Sequence, residues 1–237
     1  MALPIDVHDI STLVAMTDIG GNVAHVRARI TAACERAGRD PAGVTLIAVT
    51  KTHSAEAVAA AYTAGVRDFG ENRVQEAGQK VAAARDLGVA DATWHLIGNL
   101  QRNKAAAAAR LFDAIHSVDS ERLALAISDR AERSVRVFIE VNVAGEASKH
   151  GVAPDGAAML AERVGTMPHL DLVGLMTVAP VAVSPEEARP VFRRLRELRD
   201  AIGLPELSMG MTGDFEVAIE EGATVVRVGR AIFGERG

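Results

Sequence analysis

Short runs of β-branched and aliphatic residues recur along the chain, and Ala-, Glu- and Arg-rich stretches of helical character separate them. Strands that alternate with helices build parallel sheets covered by helices. Eight such units in 237 residues predict a single-domain (β/α)₈ barrel of the α/β class. The eight predicted strands are VTLIAVTK (44–51), VRDFGEN (66–72), TWHLIG (93–98), DAIHSVD (113–119), RVFIEVNV (136–143), LDLVGLMTV (170–178), ELSMGM (206–211) and TVVRVG (224–229).

The main alternative topology is an open, doubly wound sheet. That fold commonly carries a G-x-G-x-x-G turn after its first strand, and the sequence contains no such turn. Apolar residues recur at helical spacing from Asn22 to Ala37, where the regular pattern begins. We therefore predict an N-terminal extension over residues 1–21 and a barrel domain over residues 22–237.

Composition narrows the functional classes. The net charge of −5 argues against a general nucleic-acid binder, which needs a basic surface. The sequence contains no run of 18 apolar residues, so we expect no membrane-spanning helix. The N-terminus does not resemble a secretory signal, and the single cysteine, Cys34, is typical of a packed core residue, so we expect a cytoplasmic protein. No His, Cys and Asp residues show metal-ligand spacing, so we expect no metal site. We also expect a monomer or weak dimer.

The first predicted strand ends on Lys51, at the face of a barrel that carries its chemistry. An ammonium group at the end of a buried strand is costly to desolvate. A lysine in a partly dry pocket near other cations has a lowered pKa, and its amine can form an imine with an aldehyde. Alternatively, Lys51 reaches solvent beyond the strand or pairs with Glu71.

Two glycine-containing segments, SMGMTGDFEVAIEEG and VRVGRAIFG, follow the last two strands and lead into predicted helices. Backbone N–H groups at the start of a helix favour an anion, and these two loops are the common phosphate position in a (β/α)₈ barrel. Alternatively, the glycines only form tight turns. The residues that suggest a phosphate site are Ser208, Gly210, Thr212, Gly213 and Gly229.

An aldehyde and a phosphate bound across one barrel mouth describe pyridoxal 5′-phosphate. The segments AVTKTHS, FGENRVQE, WHLIGNLQRNK, IHSVDS, VNVAGEASKHG, GLMTVAP and LSMGMTGDFEVAIEEGATVVRVGRAIFGER closely resemble the pyridoxal phosphate homeostasis protein family, the YggS/PROSC group. The resemblance runs from about residue 22 to the C-terminus. It implies a barrel related to the N-terminal domain of alanine racemase.

The resemblance also implies roles for individual residues. It implies a Schiff base between the cofactor and Lys51, and Arg227 facing the pyridine nitrogen. A fixed cation there disfavours protonation of the ring and makes it a poor electron sink; the alternative for Arg227 is a salt bridge to Glu216 or Glu220. The remaining implied contacts are to the phosphate from Ser208, Thr212 and the backbone of Gly229 and Arg230, to the ring from Asn72, and to the adjacent wall from Met209, Gly210 and Met211.

Two functional classes remain, a carrier of the cofactor and an amino-acid racemase-like enzyme. Racemisation needs an acid/base group on each face of the ring, and in the related racemases a tyrosine from an added β-domain supplies the second one. The only tyrosine here, Tyr62, lies in a predicted helix where packing is its expected role. We therefore predict a non-catalytic protein of vitamin B6 homeostasis, with apo forms of pyridoxal phosphate-dependent enzymes as candidate partners. His95 and His116 are expected to be core residues without a catalytic role.

Overall fold

The computed structural model describes residues 18–146, 149–180 and 184–234. Eight parallel strands form a closed barrel in sequence order, and the last strand pairs with the first. The predicted (β/α)₈ fold and its eight strands are confirmed. The strands are β1 Thr45–Val49, β2 Asp68–Glu71, β3 Thr93–Leu96, β4 Ala114–Val118, β5 Val135–Glu140, β6 Leu170–Met176, β7 Glu206–Met211 and β8 Val225–Val228.

Helices cover the outside of the barrel. Their apolar faces pack on the strands and form most of the core together with them. Among the described residues, no helix has both the length and the hydrophobicity of a membrane span. The helices are α1 Ile19–Arg36, α2 Ala55–Thr63, α3 Val74–Asp86, α4 Ala105–Leu111, α5 Glu121–Ser128, α6 Ala157–Gly165, α7 Arg189–Ile202, α8 Phe215–Glu220 and α9 Arg230–Phe233, with short 3₁₀ turns at Pro41–Gly43, Arg102–Lys104, Pro154–Gly156 and Pro185–Ala188.

The first helix begins earlier than the sequence pattern indicates. Its N-cap is Asp18, whose carboxylate accepts a hydrogen bond of 2.8 Å from the Gly21 amide. Capping by Asp satisfies one of the free N–H groups at a helix start, so α1 starts at Ile19 rather than at Asn22. The rest of the predicted extension, residues 1–17, lies outside the described residues.

The interior of the barrel is part apolar and part polar. Phe138 lies in a buried apolar cluster with Ile47, Val173, Met176 and Val225. Other interior positions carry buried polar side chains, and a polar group away from water requires a hydrogen-bond partner. These buried polar residues include His95, His116, Ser208 and Arg227.

An ion-pair network joins α1, α7 and α8 on the outside of the barrel. Arg29 and Arg36 of α1 contact Glu216 at 2.7 and 2.9 Å. Arg36 and Arg189 both contact Glu220 at 2.7 Å. Because a network restrains several side chains at once, it stabilises more than an isolated surface pair. The network holds α8 against both neighbouring helices.

This network predicts a pH-dependent loss of stability in Glu220→Gln. Hydrogen bonds from Arg189 and Arg36 lower the pKa of the Glu220 carboxyl. Such a group stabilises the folded state above its unfolded pKa, and the contribution is lost as the pH falls through the folded pKa. We expect urea unfolding to show a loss of about 1 kcal/mol at neutral pH that shrinks as the pH is lowered and the Glu220 carboxyl of the wild type takes up a proton. A loss that stays equal as the pH is lowered would contradict this assignment.

Candidate functional site

A cleft of about 810 Å³ lies at the mouth of the barrel where the strands end. This volume is in the range of small-molecule and cofactor sites. Its walls come from the segments that follow β1, β2, β3, β6, β7 and β8. The predicted site residues that line it are Lys51, Asn72, Met211, Thr212, Gly213, Arg227, Gly229 and Arg230.

The backbone on both sides of Lys51 is held by α3. Strand β1 ends at Val49, and Lys51 lies in the turn that follows. The carbonyl oxygen of Thr50 accepts a hydrogen bond of 2.6 Å from Lys80 Nζ. The amide of Thr52 donates to Glu76 Oε1 at 2.7 Å. Because both flanking peptide groups are hydrogen-bonded, the position of the Lys51 Cα atom is restrained.

A buried carboxylate compensates the charge of Lys80. Glu71 is fully buried, and its Oε1 atom accepts hydrogen bonds of 2.6 Å from both Lys80 Nζ and Thr50 Oγ1. Burial raises the pKa of the Glu71 carboxyl, and the hydrogen bonds from Lys80 and Thr50 oppose that rise. Lys80, which the sequence pattern did not suggest, is therefore a cation at hydrogen-bonding distance from Glu71.

Arg227 is a buried cation in the wall of the cleft. Its side chain donates from Nη1 to Ser208 Oγ at 2.6 Å and from Nη2 to the Thr177 carbonyl at 2.9 Å. Burial lowers its pKa to about 10, and the negative charges of Asp214 and Glu140 oppose that shift. At neutral pH the guanidinium therefore stays protonated.

The alternative predicted for Arg227, a salt bridge to Glu216 or Glu220, is wrong. Those carboxylates face away from the barrel interior and pair with arginines of α1 and α7. Arg227 projects from β8 into the interior instead, because alternate residues of a strand point to opposite faces.

Three predicted site residues of β7, Ser208, Met209 and Gly210, lie behind the cleft wall rather than in it. The Ser208 hydroxyl is inside the barrel with Arg227, and the Met209 side chain packs in the core under the helices. Gly210 has φ +91°, and a Cβ there would lie 2.6 Å from Ala218 Cβ. The register between β7 and β8 shifts between Ser208 and Met211, and Met211 lines the cleft. The direct ligand contacts predicted for Ser208, Met209 and Gly210 remain predictions.

The loop after β7 closes on itself. Asp214 Oδ1 accepts a hydrogen bond of 2.6 Å from the Met211 amide, and helix α8 begins at the next residue, Phe215. Burial raises the pKa of the Asp214 carboxyl, which that backbone hydrogen bond partly offsets. This closed loop presents Thr212 and Gly213 to the cleft.

Two further features fit a bound polar ligand. The Oδ1 atom of Asn72 is buried without a hydrogen-bond partner among the described residues, so an acceptor remains available beside the cleft. A Cβ at Gly229 would lie 3.3 Å from the Val49 carbonyl oxygen. Glycine therefore allows the loop after β8 to approach the end of β1, where Lys51 follows.

Sequence reasoning did not identify the other residues that line the cleft. Most of them are apolar or lie in loops, so no side-chain pattern indicates a chemical role, although the segment GLMTVAP after β6 is among the motifs of the resemblance. In the part of the chain that the structure describes, no group of three or more His, Cys, Asp or Glu residues could hold a metal ion. The missed wall residues are Val49, Ile97, Val178, Ala179, Pro180, Ser184, Pro185 and Asp214.

Comparisons with known proteins show the family and the fold of this chain. Residues 22–237 match the family model of the alanine racemase N-terminal domain. The pyridoxal phosphate homeostasis protein of Aquifex aeolicus is 46% identical over 223 residues, which cover 90% of this chain and 96% of the relative. That of Escherichia coli K12 is 40% identical over 232 residues, which cover 93% and 98%.

Solved structures show the same architecture. PipY of Synechococcus elongatus, solved with pyridoxal phosphate bound, matches with a TM-score of 0.80 and 36% identity over 91% of this chain and 100% of its own. An alanine racemase of Clostridium difficile shares the fold, with a TM-score of 0.67 and 14% identity over 93% of this chain and 57% of its own. The chain therefore belongs to the pyridoxal phosphate homeostasis protein family, whose barrel is that of the alanine racemase N-terminal domain.

Proposed function

We propose that this protein binds one pyridoxal 5′-phosphate in the cleft and acts in vitamin B6 homeostasis. The amine of Lys51 adds to the aldehyde carbon, and loss of one water forms an imine. The observation that carries the proposal is that Lys51 lines the same cleft as the loops after β7 and β8. The names of the relatives and the cofactor bound to PipY support it.

The cleft supplies a set of contacts for this ligand. In this proposal Thr212 and the backbone of Gly229 and Arg230 hold the phosphate, and Ser208, Met209 and Gly210 support that loop from behind. Asn72 offers an acceptor next to the ring, and Arg227 provides the fixed cation for the pyridine nitrogen.

The carrier is favoured over the racemase-like alternative by two residues. With the cationic Arg227 at the ring nitrogen, the ring is a poor electron sink. Tyr62, the only tyrosine, lies on α2 with the Arg67 guanidinium 4.0 Å from its ring centroid, and it does not line the cleft. We therefore propose storage and delivery of the cofactor in the cytoplasm by a monomer or weak dimer, with apo-enzymes as recipients and no nucleic-acid partner.

Reduction with borohydride tests the imine. We expect peptide mass spectrometry to find one reduced pyridoxyl adduct, on Lys51, and to find none in Lys51→Ala. The matched control is Lys104→Ala, which removes a lysine outside the cleft and should retain the adduct. An adduct confined to another lysine, or no adduct in the wild type, would refute the proposal.

The same loaded protein separates the two functional classes. A carrier should transfer the cofactor to an apo-enzyme, restore its activity, and leave L- and D-alanine unchanged. Steady racemisation that disappears in Lys51→Ala would favour the enzyme instead.

A further inference from the structure

A continuous chain of hydrogen bonds crosses the barrel interior and ends at Arg227. Arg227 Nη1 lies 2.6 Å from Ser208 Oγ, and the same oxygen lies 2.8 Å from His116 Nδ1. His116 Nε2 lies 3.0 Å from His95 Nδ1, and His95 Nε2 lies 3.0 Å from Asp68 Oδ1. Asp68 is the first residue of β2, so the chain extends from the opposite end of the barrel to the cleft.

Only one arrangement of protons satisfies every member with both imidazoles neutral. A guanidinium only donates hydrogen bonds, so Ser208 Oγ accepts from Arg227. The single hydroxyl proton of Ser208 is then donated to His116 Nδ1, which must be unprotonated. A neutral His116 therefore carries its proton on Nε2 and donates to His95.

The half of the hydrogen-bond chain that lies farther from the cleft has its protons fixed in the same way. His95 Nδ1 accepts from His116, so a neutral His95 also carries its proton on Nε2 and donates to the Asp68 carboxylate. The reverse direction would place an unprotonated His95 Nε2 against that carboxylate, where two acceptors repel. It would therefore require one additional proton in the chain.

The surroundings keep the central histidine uncharged. His116 is fully buried, and its ring stacks on Phe138 with centroids 4.1 Å apart. Burial lowers its pKa well below the usual value, and the positive charges of Arg227 and Arg136 act in the same direction. Arg136 is itself paired with a carboxylate of β7, Glu206.

We propose that Ser208, His116, His95 and Asp68 are positioning residues that fix the Arg227 guanidinium in the cleft wall, with both imidazoles neutral and protonated on Nε2. Two different nitrogens of the guanidinium are bonded, to Ser208 Oγ and to the Thr177 carbonyl, so its plane has one orientation. When His116 takes the hydroxyl proton, that proton points away from Arg227 and a lone pair of the Ser208 oxygen faces the guanidinium. The effect on ligand binding rests on the proposed function, whereas the tautomers do not.

Nitrogen-15 NMR of the histidine-labelled, cofactor-free protein tests the tautomers directly. We expect His95 and His116 each to show one protonated nitrogen, Nε2, and one unprotonated nitrogen, Nδ1, at neutral pH. A proton on His116 Nδ1, in either a neutral or a charged ring, would overturn the proposal. This measurement stands even if the protein fails to bind pyridoxal phosphate, so it separates the two hypotheses.

Substitution of His116 tests the link to the cleft. In His116→Phe the Ser208 proton loses its acceptor, and we expect affinity for pyridoxal phosphate to fall on the order of tenfold, with a shifted visible absorption band. His25→Phe, the same substitution at an exposed position of α1, should change neither quantity. In His116→Gln the amide can accept from Ser208 and donate to His95, so band position and affinity should recover, which a purely steric role would not predict.

Either of two results would overturn the positioning role while leaving the proposed function intact. One is wild-type affinity and an unshifted band in folded His116→Phe. The other, which decides the matter if that variant does not fold, is an unshifted band in Ser208→Ala, where Arg227 loses the Ser208 acceptor directly.

Discussion

Replacement of Lys80 by methionine is expected to lower the free energy of unfolding by about 3–5 kcal/mol. Lys80 is the cation within 2.6 Å of the fully buried Glu71 carboxylate, and its own side chain is only 7% exposed. Methionine keeps much of the volume but leaves that carboxylate without its compensating charge. An uncompensated buried charge is among the largest single-residue penalties. Urea unfolding at neutral pH measures the loss.

Two comparisons isolate the cause. The double variant Lys80→Met/Glu71→Leu removes both charges, so we expect it to recover most of the lost stability. In Lys80→Met alone, burial raises the pKa of Glu71 without an opposing cation. The penalty belongs to the ionised form, so it should shrink as the pH is lowered and Glu71 takes up a proton. A loss that the second substitution deepens, or that does not depend on pH, would contradict the ion-pair explanation.

The same substitution should also affect the proposed ligand site. Lys80 holds the Thr50 carbonyl, and Glu76 holds the Thr52 amide on the other side of Lys51. Loss of one of these hydrogen bonds frees the turn that carries the reactive amine. We therefore expect slower and weaker imine formation in the double variant, even though its stability is largely recovered.

Gly210→Ala is the second substitution with a large expected effect, a loss of about 3 kcal/mol in the free energy of unfolding. Gly210 has φ +91°, which disfavours any residue with a Cβ. The added methyl group would lie 2.6 Å from Ala218 Cβ and 2.9 Å from Phe215 Cα. Helix α8 must therefore move away from β7, and the loop that presents Thr212 to the cleft moves with it. Thermal or urea unfolding measures the loss of stability, and titration with pyridoxal phosphate measures the effect of the displaced loop on binding.

Gly213→Ala is the matched control in the same loop. A Cβ at Gly213 meets no atom within 4 Å, so we expect a change in stability within about 0.5 kcal/mol. Equal losses in the two variants would show that close approach between α8 and β7 is not what Gly210 provides.

Most of the fold was predictable because the pattern repeats. The β-branched runs are mostly apolar on both faces and the intervening segments have helical periodicity, so eight units indicate a barrel without any long-range information. Chain position relative to a strand end then indicates which residues reach the mouth. The structure brings Lys51, Asn72, Thr212, Arg227, Gly229 and Arg230 around one cleft, and their contacts to a ligand stay predictions.

The supporting contacts were not predictable from the same reasoning. Lys80 reaches a carbonyl 30 residues earlier in the chain, and His116 meets a hydroxyl 92 residues later. Such contacts depend on the register between strands and on side-chain rotamers, which no local pattern encodes. The hydrogen-bonded core character expected for His95 is confirmed, but its partners Asp68 and His116 follow only from the closed barrel.

The first and last described helices lie together, and this has a consequence for biosynthesis. Helix α1 packs on α8 and α9, the side-chain Nδ2 of Asn22 donates to the Ile232 carbonyl at 2.9 Å, and β1 pairs with β8. A ribosome makes the N-terminal members of these pairs before their partners. Strand β8 and helix α9 must therefore emerge before the seam with β1 and α1 can close, and until then the edge of β1 offers unpaired backbone groups to other strands.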